Sequence, residues 1–305
     1  MQLPSIIRIG TRKSLLAVAQ AQIVRQKLMD SYPGLAVELV TMLTSGDRNT
    51  DRSLADIGGK GLFTKELEES LENGSIDIAV HSLKDMETHL RPGMCIAAVL
   101  PREDPRDVLI AAPSMTIATL PPNAQVGTSS LRRAAQLKIL RPDLQIVLFR
   151  GNVNTRLTKL KNGEADAILL ALAGLRRIGM EKEATEILDT VRFIPAVGQG
   201  TIAIECKEGD AKLRDMLQPL HHIPTYHATL AERSLLATLD GSCRTPIGGY
   251  ARMEQGQLVL DALIAKADGS LHIKTSRSGD AKDAVCMGED AGRELLARGG
   301  NACLG

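Results

Sequence analysis

Five times along this chain a short apolar run gives way to a polar loop that carries a cation. Residues 6–9 precede Arg12, Lys13 and Ser14; residues 76–80 precede Ser82, Lys84 and Asp85. Val126 leads into Thr128, Ser129, Ser130, Arg132 and Arg133; residues 146–149 lead to Arg150 and Arg156, and residues 166–170 to Arg176 and Arg177. Runs this short suit strands, and residues 15–30 after the first loop have helical spacing. Strand, polar loop and helix in that order make the βα unit of an open, largely parallel sheet, so the chain is expected to be α/β. Ligands of such sheets lie outside the carboxyl ends of the strands. Any one such loop can equally be a solvated turn. Hydroxyls, free backbone N–H groups and two arginines over residues 128–133 make an anion site. Arginine forks match carboxylates two bonds at a time, so a repeated arginine loop points to a ligand with several carboxylates or phosphates.

The charge distribution supports a confined anionic ligand. The 305 residues have a net charge of only +1, which argues against a nucleic-acid binder. Within residues 128–177, however, ten Lys and Arg face three acidic residues. Aromatic residues make up 2% with no Trp, so the cores must be aliphatic. No apolar run approaches the length of a membrane span, and residues 1–5 have no signal-peptide pattern. Five cysteines, odd in number and without a Cys-x-x-Cys pair, indicate neither a disulfide framework nor a zinc site. His221, His222 and His227 lack a partner at metal-site spacing, so no metal is expected. The reading is a soluble cytoplasmic protein with reduced thiols that binds neither nucleic acid nor membrane.

Between the arginine loops lie other features. Residues 44–60 are polar and end in Gly-Gly-Lys60, without phosphate-loop spacing; they read as a flap carrying a cation, ahead of a helix over 63–73. Asp85 beside Lys84 is a proton carrier, a counter-ion to a cationic intermediate, or a strand-end ion pair. Prolines at 92, 101, 105 and 113 suggest a crossing into a second domain, and residues 195–200, with Gln199, a return hinge before a strand over 201–205. After a helix over 228–239 comes Cys243 on a Gly-rich turn next to Arg244, then three strand-like segments and a last helix over 281–297. Cys243 is either one more small hydrophobe or a thiol whose thiolate Arg244 favours.

Residues 58–69, 79–85, 126–137, 150–157, 195–205 and 240–251, six segments in register, resemble the signature segments of the porphobilinogen deaminase (hydroxymethylbilane synthase) family. The resemblance implies two α/β domains like those of type II periplasmic binding proteins and a small C-terminal α+β domain with a three-stranded antiparallel sheet. The expected boundaries are 1–99 plus 198–218, then 100–197, then 219–305. It implies a cytoplasmic, monomeric transferase of tetrapyrrole (haem) biosynthesis that joins four porphobilinogen molecules head to tail and releases ammonia. The chain would grow on a dipyrromethane cofactor held by a thioether to Cys243. Asp85 would stabilise the azafulvene formed as ammonia leaves and assist proton transfer, with Lys84 and Arg12 in support as catalytic groups. Ser14, Lys84, Asp85, Thr128, Ser130, Arg132, Arg133, Arg150, Arg156 and Gln199 would hold the cofactor. Arg12, Lys60, Ser82, Arg150, Arg156 and Arg177 would hold substrate. One departure is local: the family usually reads Val-Pro-Thr after the catalytic Asp, whereas this chain has Met86-Glu87-Thr88. Two other readings are a non-enzymatic receptor for a small polycarboxylate and a cysteine hydrolase pairing Cys243 with His81.

Overall fold

The computed structural model describes residues 4–48, 61–242 and 245–303. The chain opens with β1 (Ile6–Arg12), α1 (Leu15–Ser31), β2 (Ala36–Met42), a short α2 (Ser45–Arg48), α3 (Lys65–Glu72), β3 (Ile78–Ser82) and β4 (Met94–Val99). β1 runs three residues further than its apolar pattern suggests. Parallel pairing to β2 continues to Arg12↔Met42, and the Thr11 hydroxyl donates to the Ala17 carbonyl. α1 starts where Ser14 accepts the Ala17 N–H, and it buries Ala17, Gln20, Ala21, Val24 and Leu28 against this sheet. Each large aliphatic side chain so buried contributes about 1.5–3 kcal/mol.

A second run follows: β5 (Asp107–Ala111), β6 (Gln125–Gly127), α4 (Leu131–Leu140), β7 (Gln145–Val147), α5 (Val153–Lys161), β8 (Ala167–Ala171), α6 (Leu172–Arg177) and β9 (Glu186–Ile187). The chain then returns through β10 (Ile202–Lys207) and α7 (Ala211–Leu217). The two five-stranded sheets have orders β2-β1-β3-β10-β4 and β7-β6-β8-β5-β9. In each, three strands are parallel, and the next, β10 or β5, runs antiparallel to its neighbours. That strand follows a crossing from the other sheet, so two crossings join the sheets. β4 and β5 were not anticipated from the sequence. The prolines that mark the crossing flank them, and each offers only five or six residues to read.

The last part is α8 (Ile223–Thr238), β11 (Ile247–Glu254), β12 (Gln257–Ala265), β13 (His272–Gly279) and α9 (Ala284–Ala297), with β11–β13 an antiparallel meander. This is the α/β class with a C-terminal three-stranded sheet that the resemblance implied. α8 begins earlier than its leucine spacing indicates, because Pro224 sits in the first turn and His222 caps it through Thr225. His221 is likewise structural: its Nδ1 accepts the Val99 N–H at 3.2 Å. α8 and α9 touch so closely that a Cβ on Gly288 would lie 2.2 Å from the Ala231 carbonyl oxygen. Glu232, fully buried on α8, ties this part to the crossings. It pairs with Arg102 and accepts the Gly198 and Ala251 N–H groups at 2.6 and 2.7 Å. Gly200, at φ +88°, could not carry a side chain, since a Cβ would meet the Glu103 carbonyl at 2.2 Å.

Candidate active site

The carboxyl ends of both parallel sheets open on one cavity of about 860 Å³, within the range of small-molecule sites. The N-caps of α1, α4 and α5 (Ser14, Ser130 and Asn152) all line it, so three helix N-termini add positive potential to it. Among the described residues, ten Lys and Arg line it (Arg12, Lys13, Lys84, Arg132, Arg133, Arg150, Arg156, Lys159, Arg177 and Arg233) against two carboxylates, Asp47 and Asp85.

The cations are not equivalent. Arg12 is paired with Asp47 and lies 4.4 Å from the Phe63 ring centroid. Arg132 and Arg133 straddle Asp107, a buried carboxylate that starts β5, at 2.8 and 2.7 Å. Burial alone would raise Asp107, but the two guanidinium groups overcome it and hold the carboxyl well below the usual range. Arg133 also donates to the Leu169 carbonyl, whereas the buried Nε of Arg132 has no partner among the described residues. Arg156 donates to the Gly151 carbonyl, and Arg177 to that of Gly200 in the hinge. Burial brings each of these two down to about 10, for Arg156 with the repulsion of Arg133 and Arg150 added.

Lys84 and Asp85 occupy a 3-10 turn directly after β3. Lys84 donates to Gln199 Oε1 at 3.2 Å, and Gln199 Nε2 donates to Asp107 at 2.9 Å, so a chain of contacts runs from one sheet to the other. Burial pulls Lys84 down to about 8 despite the nearby Asp85. Asp47 is spent on Arg12 and Thr44, whereas no hydrogen bond from a described residue reaches Asp85. Ser82 also lines the cavity but is tied to Gln20 at 2.8 Å. Thr128 is buried outside the lining and accepts the Ser130 N–H at 3.2 Å. Cys243 and Lys60 lie outside the described residues, as does most of the expected flap. Ser242 and Thr245, which flank Cys243 and Arg244, line the cavity.

The Met86-Glu87-Thr88 variation is anchored on three sides. Glu87 accepts the Gly61 N–H at 2.7 Å, and Thr88 donates to Gly241 at 2.7 Å. Arg233 of α8 donates to the Glu87 and Thr88 carbonyls at 3.1 and 2.8 Å. The loop after Asp85 is thereby fastened to the turn that leads to Cys243. Sequence reasoning missed Asp107, Gln20 and Arg233. Asp107 alone left a signal, a charge heading the apolar run 108–110. His81 is buried and does not line this cavity; its Nε2 lies 2.9 Å from Glu205 on the neighbouring strand.

A dipyrromethane would bring several carboxylates into this space, and the residues present fit it. Asp85 accepts no hydrogen bond from a described residue, Asp47 and Asp107 are consumed by Arg12, Arg132 and Arg133, and buried Arg156 and Lys84 are each repelled by neighbouring arginines. Burying like charges together is costly unless anions join them.

Residues 7–215 match the family described as porphobilinogen deaminase, dipyromethane cofactor binding domain, and residues 226–297 match the porphobilinogen deaminase C-terminal domain. Three curated relatives bear the name porphobilinogen deaminase. That of Syntrophobacter fumaroxidans is 48% identical, covering 98% of this chain and 97% of the relative. That of Nitrobacter hamburgensis is 50% identical, covering 96% and 93%. That of Roseiflexus castenholzii is 47% identical, covering 98% of each. Among solved structures, the chain is similar to the periplasmic VFT2 domain of Bordetella pertussis BvgS at TM-score 0.43 and 15% identity, over 71% of this chain and 86% of that one. A putative methionine-binding lipoprotein of Bacillus subtilis is similar at TM-score 0.44 and 13% identity, over 72% and 91%. Matched from residue 7 to residue 297, and nearly half identical to relatives along almost its whole length, this chain belongs to the porphobilinogen deaminase family.

Proposed function

We propose that the chain joins four porphobilinogen molecules head to tail with release of ammonia, on a dipyrromethane primer attached through a thioether to Cys243, to give hydroxymethylbilane. The observation that carries this is the cavity lined by ten cations and two carboxylates. A growing chain of pyrroles, each with an acetate and a propionate, meets that demand, whereas a single small dicarboxylate would engage only a few of these cations. The family membership counts against a non-enzymatic receptor. When bound, the dipyrromethane supplies the pyrrole carbon onto which the first substrate is added.

In this reading Asp85 faces the positive charge that develops as ammonia departs and accepts the proton given up after coupling. Arg150, Arg156 and Arg177 bind carboxylates directly. Arg132 and Arg133 do so with the charge left over from Asp107, and Arg12 does so on exchanging Asp47. Ser14, Ser130 and the helix N-termini behind them orient the same groups. Lys60 and Ser82 serve substrate, Thr128 supports Ser130, and Gln199 holds Lys84 in line. Residues 1–99 with 198–218, 100–197 and 219–305 act as three domains around the three sheets, as a cytoplasmic monomer.

The intact denatured mass tests the proposal. The purified protein should exceed its sequence mass by two linked pyrrole units, and Cys243→Ser should not. Bare mass in both, with no adduct after incubation with porphobilinogen, would exclude the tethered primer.

Lys84 gives a second expectation. Its ammonium binds a carboxylate below about pH 8 and is lost as the pH rises through that value. The kcat/KM profile, which reports the free enzyme, should therefore fall on the alkaline side with an ionisation near 8. Lys84→Arg, charged throughout, should remove that limb. A limb unchanged in the variant would assign the ionisation to another group.

A further inference from the structure

Outside the cavity, Cys95 on β4 and Cys206 on β10 stand directly opposite each other in the antiparallel register, their sulfurs 3.9 Å apart. Cys95 is partly exposed and Cys206 buried, and neither lines the active-site cavity. We propose that this pair is a peroxide-reactive dithiol that closes to a reversible cross-strand disulfide, a modification site separate from the active site.

Opposed residues of an antiparallel pair hold their Cβ atoms about 4.5–5.5 Å apart, and a disulfide needs about 3.5–4.5 Å. Closing the bond therefore takes side-chain rotation and a small approach of the two strands. β4 is an edge strand of its sheet, and the register shifts between Ile204 and Glu205, so the backbone has slack next to the pair. The roles of the thiols differ. The hydrogen bond from Cys206 favours the Cys95 thiolate, Arg214 adds to it, and burial, Glu208 and Glu205 oppose it; the result brings Cys95 down to about 7. Cys206 is pushed up by the same bond and keeps its proton.

The chemistry balances with hydrogen peroxide as oxidant. The Cys95 thiolate attacks one peroxide oxygen, the O–O bond breaks, and a sulfenic acid and hydroxide result. The Cys206 sulfur then attacks Cys95, the S–OH bond breaks, and the Cys206 proton leaves with that hydroxyl as water. The first hydroxide takes up the proton that Cys95 lost on ionising. Two thiols and one peroxide thus give one disulfide and two waters.

The test treats the native full-length protein with hydrogen peroxide, alkylates remaining thiols, and maps peptides by mass spectrometry. A Cys95–Cys206 linked peptide should form before oxidation at the exposed Cys286, and dithiothreitol should release it. In Cys206→Ser, Cys95 should instead run on to sulfinic acid, for want of a resolving thiol. Turnover of the oxidised parent should stay within about twofold of the reduced protein, the pair being apart from the cavity. Cys95 accumulating as sulfinic acid in the parent while Cys206 remains alkylatable would overturn the proposal, as would oxidation of Cys286 with the pair intact. Both outcomes are read in the parent protein, so they do not depend on a variant folding. A loss of turnover that dithiothreitol restores would overturn the separation from the active site.

Discussion

Asp85→Asn should lower turnover by about a thousandfold while leaving the fold and the tethered primer in place. Two effects combine to that size: a group aimed at developing charge is worth about 10²–10³ in kcat, and proton transfer by a placed base about 10²–10⁴. They need not add in full, since one carboxylate performs both. Asn fills the same volume and accepts a hydrogen bond but neither balances a cation nor takes a proton. No hydrogen bond from a described residue reaches Asp85, so its replacement should cost little stability. The other cavity carboxylate cannot substitute, because Asp47 is held by Arg12 and Thr44. Ammonia release, intact mass and thermal midpoint should be measured on one preparation. Near-normal kcat with the primer present would remove Asp85 from the mechanism. A collapsed midpoint would mean that the residue is structural. Asp47→Asn is the contrast: it frees the Arg12 guanidinium, so its effect should fall on KM more than on kcat.

How much of this was legible in the sequence follows from the range of the forces involved. Strand-end arginines could be read because a βα unit is local: apolar run, loop and helix lie within some twenty residues. The antiparallel meander after Cys243 could be read for the same reason. What stayed hidden depends on partners distant in the chain. Arg132 and Arg133 looked like an open anion site, yet Asp107, some twenty-five residues earlier, takes up part of their charge. Gln199 was recognisable as a hinge residue, but its bonds to Lys84 and Asp107 span about a hundred residues. Thr128 read as a ligand group, and its buried hydroxyl accepts the N–H of Ser130, a bond the sequence did not indicate. Glu87 stood out only as a departure from the family pattern and is a backbone anchor for Gly61. In each case the local pattern identified the chemistry of the side chain, and the tertiary contact decided how it is used.

The buried triad carries the largest stability effect. Asp107→Asn removes the one carboxylate among the described residues that touches both Arg132 and Arg133, which are themselves nearly inaccessible, at 3% and 5% exposure. Breaking a buried ion pair by deleting one partner costs about 3–5 kcal/mol, because the remaining charge keeps its desolvation penalty without compensation. Here two cations are left, so the upper part of that range is expected at neutral pH. The sign of the pH dependence follows from the depressed carboxyl. The folded protein holds Asp107 ionised below its ordinary value of 3.8, so the unfolded chain binds more protons in that interval. The contribution is fully present above 3.8 and is lost as the pH falls toward the folded value. The gap between parent and variant should thus be widest at neutral pH and narrow below about pH 4. Urea unfolding at pH 7 and near pH 3 reads both quantities. A neutral-pH difference under about 1 kcal/mol would mean that other groups already balance the two arginines. Adding Arg132→Met to Asp107→Asn should recover part of the loss, because it removes one of the stranded charges. If the double variant were no more stable than Asp107→Asn alone, the penalty would lie in lost hydrogen bonds to Gln199 and Arg133, not in buried charge.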